Sequence, residues 1–309
     1  MSAISVIPRG WNASDIVDLS GKRFLITGAT SGIGKESARE LARAGAHVTI
    51  TARSPEKGES TVAEIGRDRV DFALLDLTSL QSVRTFASQI TTQFDVLILN
   101  AGIMAVPYSI TEDHFESQMA TNHLGHFALA GLLRENIKDR IVSVSSQAHR
   151  TGRMGDSSVK AIKDLCTGVG KYSPWATYSA SKLANILFTN ELQRRSMKNN
   201  WGIDAMVAHP GVSQTNLFSH TTMAQSGLTS HLSAGATALF AQSQARGALT
   251  TLCAATFPGL YGASYIGPDG LLEMRGFPKL TRAAAIAYDQ NLAANLWQAS
   301  EELTGVNWA

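Results

Sequence analysis

The stretch FLITGATSGIG, residues 24–34, decides the fold of this chain. An apolar run of strand type enters a loop with three glycines, and a stretch of helical periodicity follows at once. Gly28 permits the tight turn, while Gly32 and Gly34 let the backbone approach a phosphate and the helix approach the sheet. This pattern is typical of a loop that holds the pyrophosphate of a dinucleotide. The residues of this loop predicted to contact it are Gly28, Thr30, Ser31, Gly32, Ile33 and Gly34.

Outward from this loop, apolar runs alternate with stretches in which apolar residues recur every three or four positions. The predicted strands cover residues 23–27, 47–52, 70–74, 96–99, 140–145 and 203–208, with a short seventh at 264–266. The predicted helices cover residues 34–44, 55–66, 80–92, 112–133, 178–197 and 242–256. Such alternation predicts an α/β fold: a single Rossmann-type, doubly wound parallel sheet of about seven strands with helices on both faces.

Three segments depart from this rhythm. Residues 1–20 have little periodicity and are interpreted as an N-terminal extension of a single domain over 21–309. Residues 147–176 contain four glycines and are predicted to form a loop across the mouth of the sheet. Residues 205–245 contain no Asp, Glu, Lys or Arg, which indicates a surface hidden from water. We expect the loops near 147–176 and 213–245 to cover a lipophilic substrate, although apolar core or a subunit contact would also account for the second.

Composition excludes several classes of function. The chain has 27 basic and 25 acidic residues without a basic stripe, which argues against a nucleic-acid partner. Its two cysteines are isolated, and His123 and His126 lack a third ligand at a suitable spacing, so no metal site is predicted and the histidines are interpreted as packed or capping residues. The sequence contains no apolar run of transmembrane length and no secretory signal, so we expect a cytoplasmic protein.

The residue after the second predicted strand indicates which cofactor is used. Arg53 stands where an enzyme specific for NAD places Asp or Glu to bind the ribose hydroxyls. A guanidinium can bind the 2′-phosphate of NADP through charge-assisted hydrogen bonds, whereas a carboxylate would repel it. The sequence therefore predicts NADP(H) in preference to NAD(H), with a solvated arginine at a strand end as the alternative.

Tyr178 and Lys182 are four residues apart on a predicted helix and therefore share a face. A phenol has a pKa near 10, and a nearby cation lowers it by favouring the phenolate. This pair predicts a general acid: Tyr178 would give its proton to a carbonyl oxygen while hydride arrives from a nicotinamide.

Together these motifs make the sequence similar to the short-chain dehydrogenase/reductase family over residues 22–309. The resemblance is strongest to the branch that contains retinol dehydrogenases and protochlorophyllide reductases. It rests on the stretches GKRFLITGATSGIGKE (21–36), LNAG (99–102), TNHLGHFAL (121–129), RIVSVSSQAH (140–149), YSASKLANILF (178–188) and HPGVSQT (209–215). The separation between the serine and tyrosine motifs is longer than is usual in the family, which affects the expected pocket more than the expected chemistry.

The resemblance implies roles for individual residues. Ser146 would hydrogen-bond the substrate oxygen, with the adjacent Ser145 as the alternative, since neighbours at a strand end face opposite ways. Lys182 would also hold the nicotinamide ribose, and Asn122 would anchor a water that relays protons to Lys182. The further cofactor contacts implied are Asp76 and Leu77 at the adenine, Asn100, Ala101 and Gly102 along the cofactor, and Pro210, Gly211, Val212 and Thr215 at the nicotinamide.

The function expected is interconversion of a lipophilic ketone or aldehyde and its alcohol with NADP(H). Reduction of a carbon–carbon double bond at the same residues is one alternative, and a sensor or scaffold that binds NADP(H) without turnover is another. The set Asn122, Ser146, Tyr178 and Lys182 argues against the latter, because only catalysis needs all four. The sequence leaves the substrate, the stereochemistry and the choice between a monomer and a homodimer open.

Overall fold

The computed structural model describes residues 6–212 and 242–308. Within them, the strands are β1 (Arg23–Ile26), β2 (His47–Ala52), β3 (Val70–Leu74), β4 (Phe94–Leu99), β5 (Ile137–Val144), β6 (Asp204–Ala208), β7 (Tyr265–Pro268) and β8 (Pro278–Leu280). They form one sheet in the order β3-β2-β1-β4-β5-β6-β7-β8. The pairings from β3 to β7 are parallel, and β8 joins β7 in antiparallel register, with Leu280 opposite Ile266.

Helices cover both faces of this sheet. They are α1 (Gly32–Arg43), α2 (Pro55–Ile65), α3 (Leu80–Gln89), α4 (Ser117–Met119), α5 (Gly125–Leu132), α6 (Val159–Cys166), α7 (Pro174–Asn199), α8 (Gln244–Thr256) and α9 (Gln290–Thr304). A π-helical turn, Ala120–Leu124, joins α4 to α5. The predicted doubly wound α/β fold is confirmed, although the sheet has one strand more than the seven predicted.

The central strand shows why both faces must be covered. Phe24 and Ile26 belong to the core on the side of α1 and α8, whereas Leu25 belongs to the core on the side of α5, α7 and α9. All three side chains are buried. Successive side chains of a strand point to opposite faces, so an unbroken apolar run requires a layer of helices on each side.

The segment 147–176 differs from the predicted irregular loop. Residues Gln147–Thr151 form a 3₁₀ turn, and α6 follows. Met154, Ile162 and Cys166 are buried in a core that also contains Leu183 of α7 and Leu296 of α9. The apolar spacing in α6 gives this short helix one buried face, so much of the segment is a packed layer beside the sheet.

The N-terminal residues are tied to the domain by specific contacts. Trp11 is buried and packs edge-on against Phe257, with ring centroids 6.4 Å apart. The Arg43 side chain donates to the Ala13 carbonyl at 2.6 Å. Over the described residues, no helix combines the length and apolarity needed to cross a membrane.

Candidate active site

The glycine loop follows β1 at the carboxyl edge of the sheet. Gly28 and Gly32 have φ of +65° and +62°, which side chains other than glycine rarely adopt. A Cβ on Gly28 would lie 2.8 Å from the Cα of Ala101, and one on Gly34 would collide with the Asn100 amide. Ser31 precedes α1 without capping it through its side chain. The first N–H groups of α1 therefore have no side-chain cap from Ser31 and can bind an anion.

A hydroxyl joins this loop to the end of β4. The Oγ1 of Thr27 accepts from the backbone N–H groups of Asn100 and Ala101 at 3.0 and 3.1 Å. The Asn100 amide donates in turn to the carbonyls of Thr27 at 2.9 Å and Gly28 at 3.1 Å. Residues 100–102, predicted to lie along the cofactor, are thus held directly beside the glycine loop.

The predicted adenine-side residues follow β2 and β3 at the same edge. Arg53 comes directly after β2, is exposed, and makes no hydrogen bond or ion pair with the residues that the structure describes. The Asp76 carboxylate accepts from the N–H and the hydroxyl of Thr78 at 2.9 and 2.7 Å. Leu77 is buried, and its carbonyl lies where a Cβ on Gly125 would be. The guanidinium of Arg53 is therefore available to a ligand at this edge of the sheet.

The predicted catalytic side chains meet where β5 ends against α7. Tyr178 and Lys182 are 6% and 5% exposed. The Ser146 side chain is near enough to the Tyr178 hydroxyl to favour its phenolate form and so lower its pKa. The Lys182 ammonium donates to the Val144 carbonyl at 3.1 Å and lies 5.8 Å from the centroid of the Tyr178 ring. The sequence pair and the serine are thus brought into one site.

Electrostatics in this site differ from the expectation for the phenol. Burial raises the pKa of Tyr178 to about 12, and the neighbouring Ser146 side chain, which lowers that pKa, only partly opposes this. Burial also lowers the pKa of Lys182 to about 8. Desolvation disfavours charge on both groups, and here it outweighs the expected lowering of the phenol pKa by the lysine. At neutral pH the phenol is protonated and the ammonium is charged.

The structure separates the two candidate serines. The Ser145 hydroxyl is buried and donates to the Lys182 carbonyl at 2.8 Å, so it fastens β5 to α7. Ser146 is half-buried, its Oγ accepts from the Ala148 N–H at 3.2 Å, and it faces Tyr178. The arrangement favours Ser146 as the serine available to a substrate.

Asn122 lies in the π-helical turn, beside Lys182. Its Oδ1 accepts from the Ile103 N–H at 2.8 Å, and its Nδ2 donates to the Ile103 carbonyl and the Ser181 hydroxyl, both at 2.9 Å. A Cβ on Gly102 would lie 3.2 Å from Asn122 Oδ1 and 3.3 Å from Lys182 Nζ. Single π turns inside α-helices frequently occur at functional sites, and this one places Asn122 on the same side of Gly102 as the Lys182 ammonium.

The predicted nicotinamide-side segment follows β6. Gly211 has φ of +69°, and a Cβ there would collide with the Met274 carbonyl. The Val212 N–H donates to that same carbonyl at 2.7 Å, and Gln242 donates to the carbonyl of Pro210. Thr215 lies outside the described residues, as does most of the predicted covering segment 213–245. Pro210, Gly211 and Val212 thus form a loop fixed against the turn that precedes β8.

Sequence reasoning missed a carboxylate that binds both sides of the site. Glu273 accepts from His209 Nε2 at 2.9 Å and from Gln147 Nε2 at 2.7 Å, and the Thr281 hydroxyl also donates to it. Arg150 lies 3.6 Å away. These donors lower the pKa of Glu273 to about 2 despite its partial burial. His209 precedes the Pro-Gly loop and Gln147 follows Ser146, so one residue positions both.

His149 is a second residue that the sequence did not single out. Its Nδ1 donates to the Ser146 carbonyl at 2.7 Å, and its Nε2 accepts from the Ala284 N–H at 3.0 Å. Burial lowers its pKa to about 4, which keeps the ring neutral as this pattern requires. Glu273 has no local signal, because Gln147 and His209 are distant from it in sequence, and the Ala284 N–H that holds the second nitrogen of His149 is distant too.

Comparison with known proteins agrees with this geometry. The short chain dehydrogenase family model matches residues 22–163. The chain is 38% identical over 305 residues to retinol dehydrogenase 12 of Homo sapiens, covering 94% of this chain and 89% of that protein. Polyprenol dehydrogenase of Homo sapiens is 35% identical over 297 residues, covering 91% and 84%. An uncharacterised Mycobacterium paratuberculosis protein of known structure is 42% identical with a TM-score of 0.81, covering 97% and 99%.

Long alignments at this identity show common descent. Members of that family are oxidoreductases that transfer hydride between a nicotinamide cofactor and an alcohol or carbonyl. The chain belongs to the short-chain dehydrogenase/reductase family, in its retinol-dehydrogenase-like branch.

Proposed function

We propose that this protein is an NADP(H)-dependent oxidoreductase that interconverts a lipophilic ketone or aldehyde and its alcohol. The observation that carries the proposal is the meeting of Ser146 and Tyr178 beside the ammonium of Lys182, which lies 5.8 Å from the centroid of the phenol ring. Such a group can bind a carbonyl oxygen, protonate it and stabilise the charge left on the phenol.

The residues at the carboxyl edge fit a dinucleotide. At Gly28 and Gly34 the neighbouring atoms leave no room for a Cβ, which keeps the loop backbone exposed. Its N–H groups and the start of α1 would hold the pyrophosphate. Arg53 would bind a 2′-phosphate, since it is exposed and has no partner of its own among the described residues. Residues 100–102, Lys182 and the loop 210–212 would hold the remainder.

When bound, the nicotinamide supplies the hydride for reduction or accepts it in oxidation. The chain's own contribution to reduction is a proton. Ser146 would orient the substrate carbonyl toward the Tyr178 hydroxyl, which donates its proton to the carbonyl oxygen. The Lys182 cation then stabilises the resulting phenolate. A phenol with a pKa of about 12 is fully protonated at neutral pH, which suits the reductive direction.

Apolar surroundings support a lipophilic substrate. Tyr178 packs with Met104 and Ala105, and Trp175 stands edge-on to its ring with centroids 6.1 Å apart. Trp175 is 38% exposed, so an aromatic face remains available beside the phenol. The names of two relatives, a retinol dehydrogenase and a polyprenol dehydrogenase, refer to long apolar alcohols. An apolar wall with a few polar groups is how sites for such molecules are built.

A panel of carbonyl compounds tests the proposal. Purified protein with NADPH would be assayed by loss of the reduced-nicotinamide absorbance against short and long aldehydes, ketones and activated alkenes. We expect turnover of long apolar carbonyls, with kcat/KM rising with chain length, and none by Tyr178→Phe. Turnover confined to the alkenes would replace carbonyl reduction by double-bond reduction. NADPH binding without turnover of any compound would contradict the catalytic proposal.

A further inference from the structure

Two buried histidines lie one helical turn apart beside the site, and only one of them faces it. His126 is 3% exposed and bridges two elements: its Nε2 lies 2.8 Å from Thr27 Oγ1, and its Nδ1 lies 3.2 Å from the Asn122 carbonyl oxygen. His123 is 2% exposed and instead contacts the Ser300 hydroxyl of α9 at 2.8 Å. The two have the same burial and different partners.

The bonding of His126 has a definite direction. A carbonyl oxygen only accepts, so Nδ1 carries the proton and donates to Asn122. Burial lowers the pKa of the ring to about 3, so the ring is neutral and Nε2 is an acceptor. The Thr27 hydroxyl therefore donates to Nε2, and that contact at 2.8 Å is much shorter than the 3.4 Å from the same hydroxyl to the Ile98 carbonyl.

Each end of this bridge belongs to a different part of the site. Thr27 immediately precedes Gly28, and its Oγ1 receives the N–H groups of Asn100 and Ala101. Asn122 holds Ile103 and Ser181, which are neighbours of Gly102 and Lys182. The hydrogen bonds thus run without interruption from the backbone of residues 100–101 through Thr27 and His126 to the π turn. Loss of the imidazole would remove the acceptor that the Thr27 hydroxyl approaches most closely and a side-chain donor to the Asn122 carbonyl.

We infer that His126 is a positioning residue that couples the nucleotide-binding loop to the catalytic asparagine. The inference rests on the proposed function, since it takes the loop as the cofactor site and Asn122 as part of the catalytic set. Occupation of the loop fixes Thr27 and residues 100–102, and His126 transmits that order to Asn122, which is bonded to Ser181, the residue before Lys182. Loss of the Nε2 contact with Thr27 should therefore weaken cofactor binding, and loss of the Nδ1 contact with Asn122 should lower turnover.

Matched substitutions separate these two effects. His126→Leu removes both bonds at similar volume, and His123→Leu is the control on the same helical segment. In His126→Asn, the side-chain amide nitrogen is attached to Cγ, as Nδ1 is in histidine, and can still donate to the Asn122 carbonyl. In His126→Gln, the side-chain amide oxygen extends about as far from Cα as Nε2 does in histidine and can still accept from the Thr27 hydroxyl. The Kd for NADPH would be measured by quenching of intrinsic fluorescence, and kcat with the best carbonyl of the panel.

We expect His126→Leu to lower kcat and to weaken NADPH binding, each by about tenfold, and His123→Leu to change neither by more than about twofold. His126→Asn should recover kcat but not affinity, and His126→Gln should recover affinity but not kcat. Equal effects of the two leucine variants, or recovery of both quantities together by Asn and Gln, would overturn the coupling. If His126→Leu does not fold, the Asn and Gln variants still decide the question.

A readout that needs no substrate distinguishes failure of this inference from failure of the proposed function. Hydrogen exchange would be followed in peptides covering residues 24–34 and 119–127, with and without NADPH. In the wild type we expect NADPH to slow exchange in both. In His126→Leu, at saturating NADPH, it should slow exchange only in 24–34. Protection of both peptides in that variant would contradict the coupling, even if no carbonyl is turned over.

Discussion

The Lys182 ammonium lies 5.8 Å from the centroid of the Tyr178 ring and donates to the Val144 carbonyl at 3.1 Å. The two side chains are both buried, so the positive charge acts on the phenol through a medium with little screening. The charge at Lys182 is itself costly there, which is why its pKa falls to about 8. A charge held at that cost is available when the phenol loses its proton.

Tyr178→Phe should lower kcat by about two orders of magnitude or more and leave NADPH affinity nearly unchanged, because only the transferable proton is lost. Tyr172→Phe is the matched control, since its hydroxyl donates to the Val106 carbonyl at 2.7 Å and accepts from Gln118, outside the catalytic set. Steady-state rates and fluorescence titrations of the two variants provide the comparison. Wild-type turnover by Tyr178→Phe would refute the assigned acid.

The pH dependence of reduction should follow Lys182. With a pKa of about 8, the lysine is charged below that pH and becomes neutral above it, while the phenol stays protonated to about 12. We therefore expect kcat to be level from pH 6 to about 7.5 and to fall above about 8, as the stabilising cation is lost. Lys182→Met should have a low kcat without this step. A rate that rises through pH 8 would contradict the assignment of Tyr178 as a proton donor.

Arg53→Asp should reverse the cofactor preference. A charge-assisted contact to a partly exposed 2′-phosphate contributes roughly 1.5 to 3 kcal/mol, or about ten- to a hundredfold in affinity for NADPH over NADH. The carboxylate would repel the phosphate and accept from the free ribose hydroxyls of NADH. Titration of both cofactors at fixed ionic strength measures the change.

Arg69→Asp controls for the change in net charge. Arg69 is exposed and directly precedes β3, at the opposite edge of the sheet from Arg53. The Arg69→Asp substitution should leave the ratio of the NADPH and NADH affinities within about twofold of the wild-type ratio. Equal affinities for NADH and NADPH in the wild type would remove the role given to Arg53.

Glu273→Gln should lower thermal stability near neutral pH and less so in acid. The carboxyl pKa is about 2 in the fold and near 4.5 when unfolded, so its contribution is complete above about 4.5 and is lost as the pH falls toward 2. The Tm difference from the wild type should therefore be largest at pH 6 to 7 and should shrink as the pH falls below about 4.5. Glu302→Gln, which removes an exposed pair with Lys163, should change Tm little at any pH. A Glu273→Gln difference that is constant with pH would show that shape, not charge, is responsible.

The parts of the fold that could be predicted from the sequence are those in which neighbouring residues define the element. The strand from Arg23, the glycine loop and helix α1 are contiguous in sequence, and each has its own signature of periodicity or backbone freedom. Strand β8 has none: it is three residues long and begins at Pro278, and only its pairing with β7 defines it. Helix α6 was overlooked because the glycines around it indicate a loop, while its stability comes from contacts with α7 and α9.

The same division holds in the site. The spacing of Tyr178 and Lys182 on one helix could be predicted, since four residues bring two side chains to one face. The pKa of the phenol could not, because it depends on how deeply the fold buries it. Glu273 contacts Gln147, which is 126 residues away in sequence, and His149, although close to Ser146 in sequence, is also fixed by the distant Ala284 N–H. No local motif encodes these long-range contacts. The roles given to the individual site residues, the single-domain boundaries and the cytoplasmic location stay predictions.

The order of the strands also has a consequence for how the chain is assembled during synthesis. Every strand after β1 pairs with a strand that precedes it in the sequence. The sheet can therefore grow outward from β1 as the polypeptide emerges. Glu273, which joins the two sides of the site, lies between the last two strands. A nascent chain can therefore assemble the strands around the glycine loop early, but it acquires the carboxylate that fastens the Ser146 and Pro-Gly segments only after β7 has been synthesised.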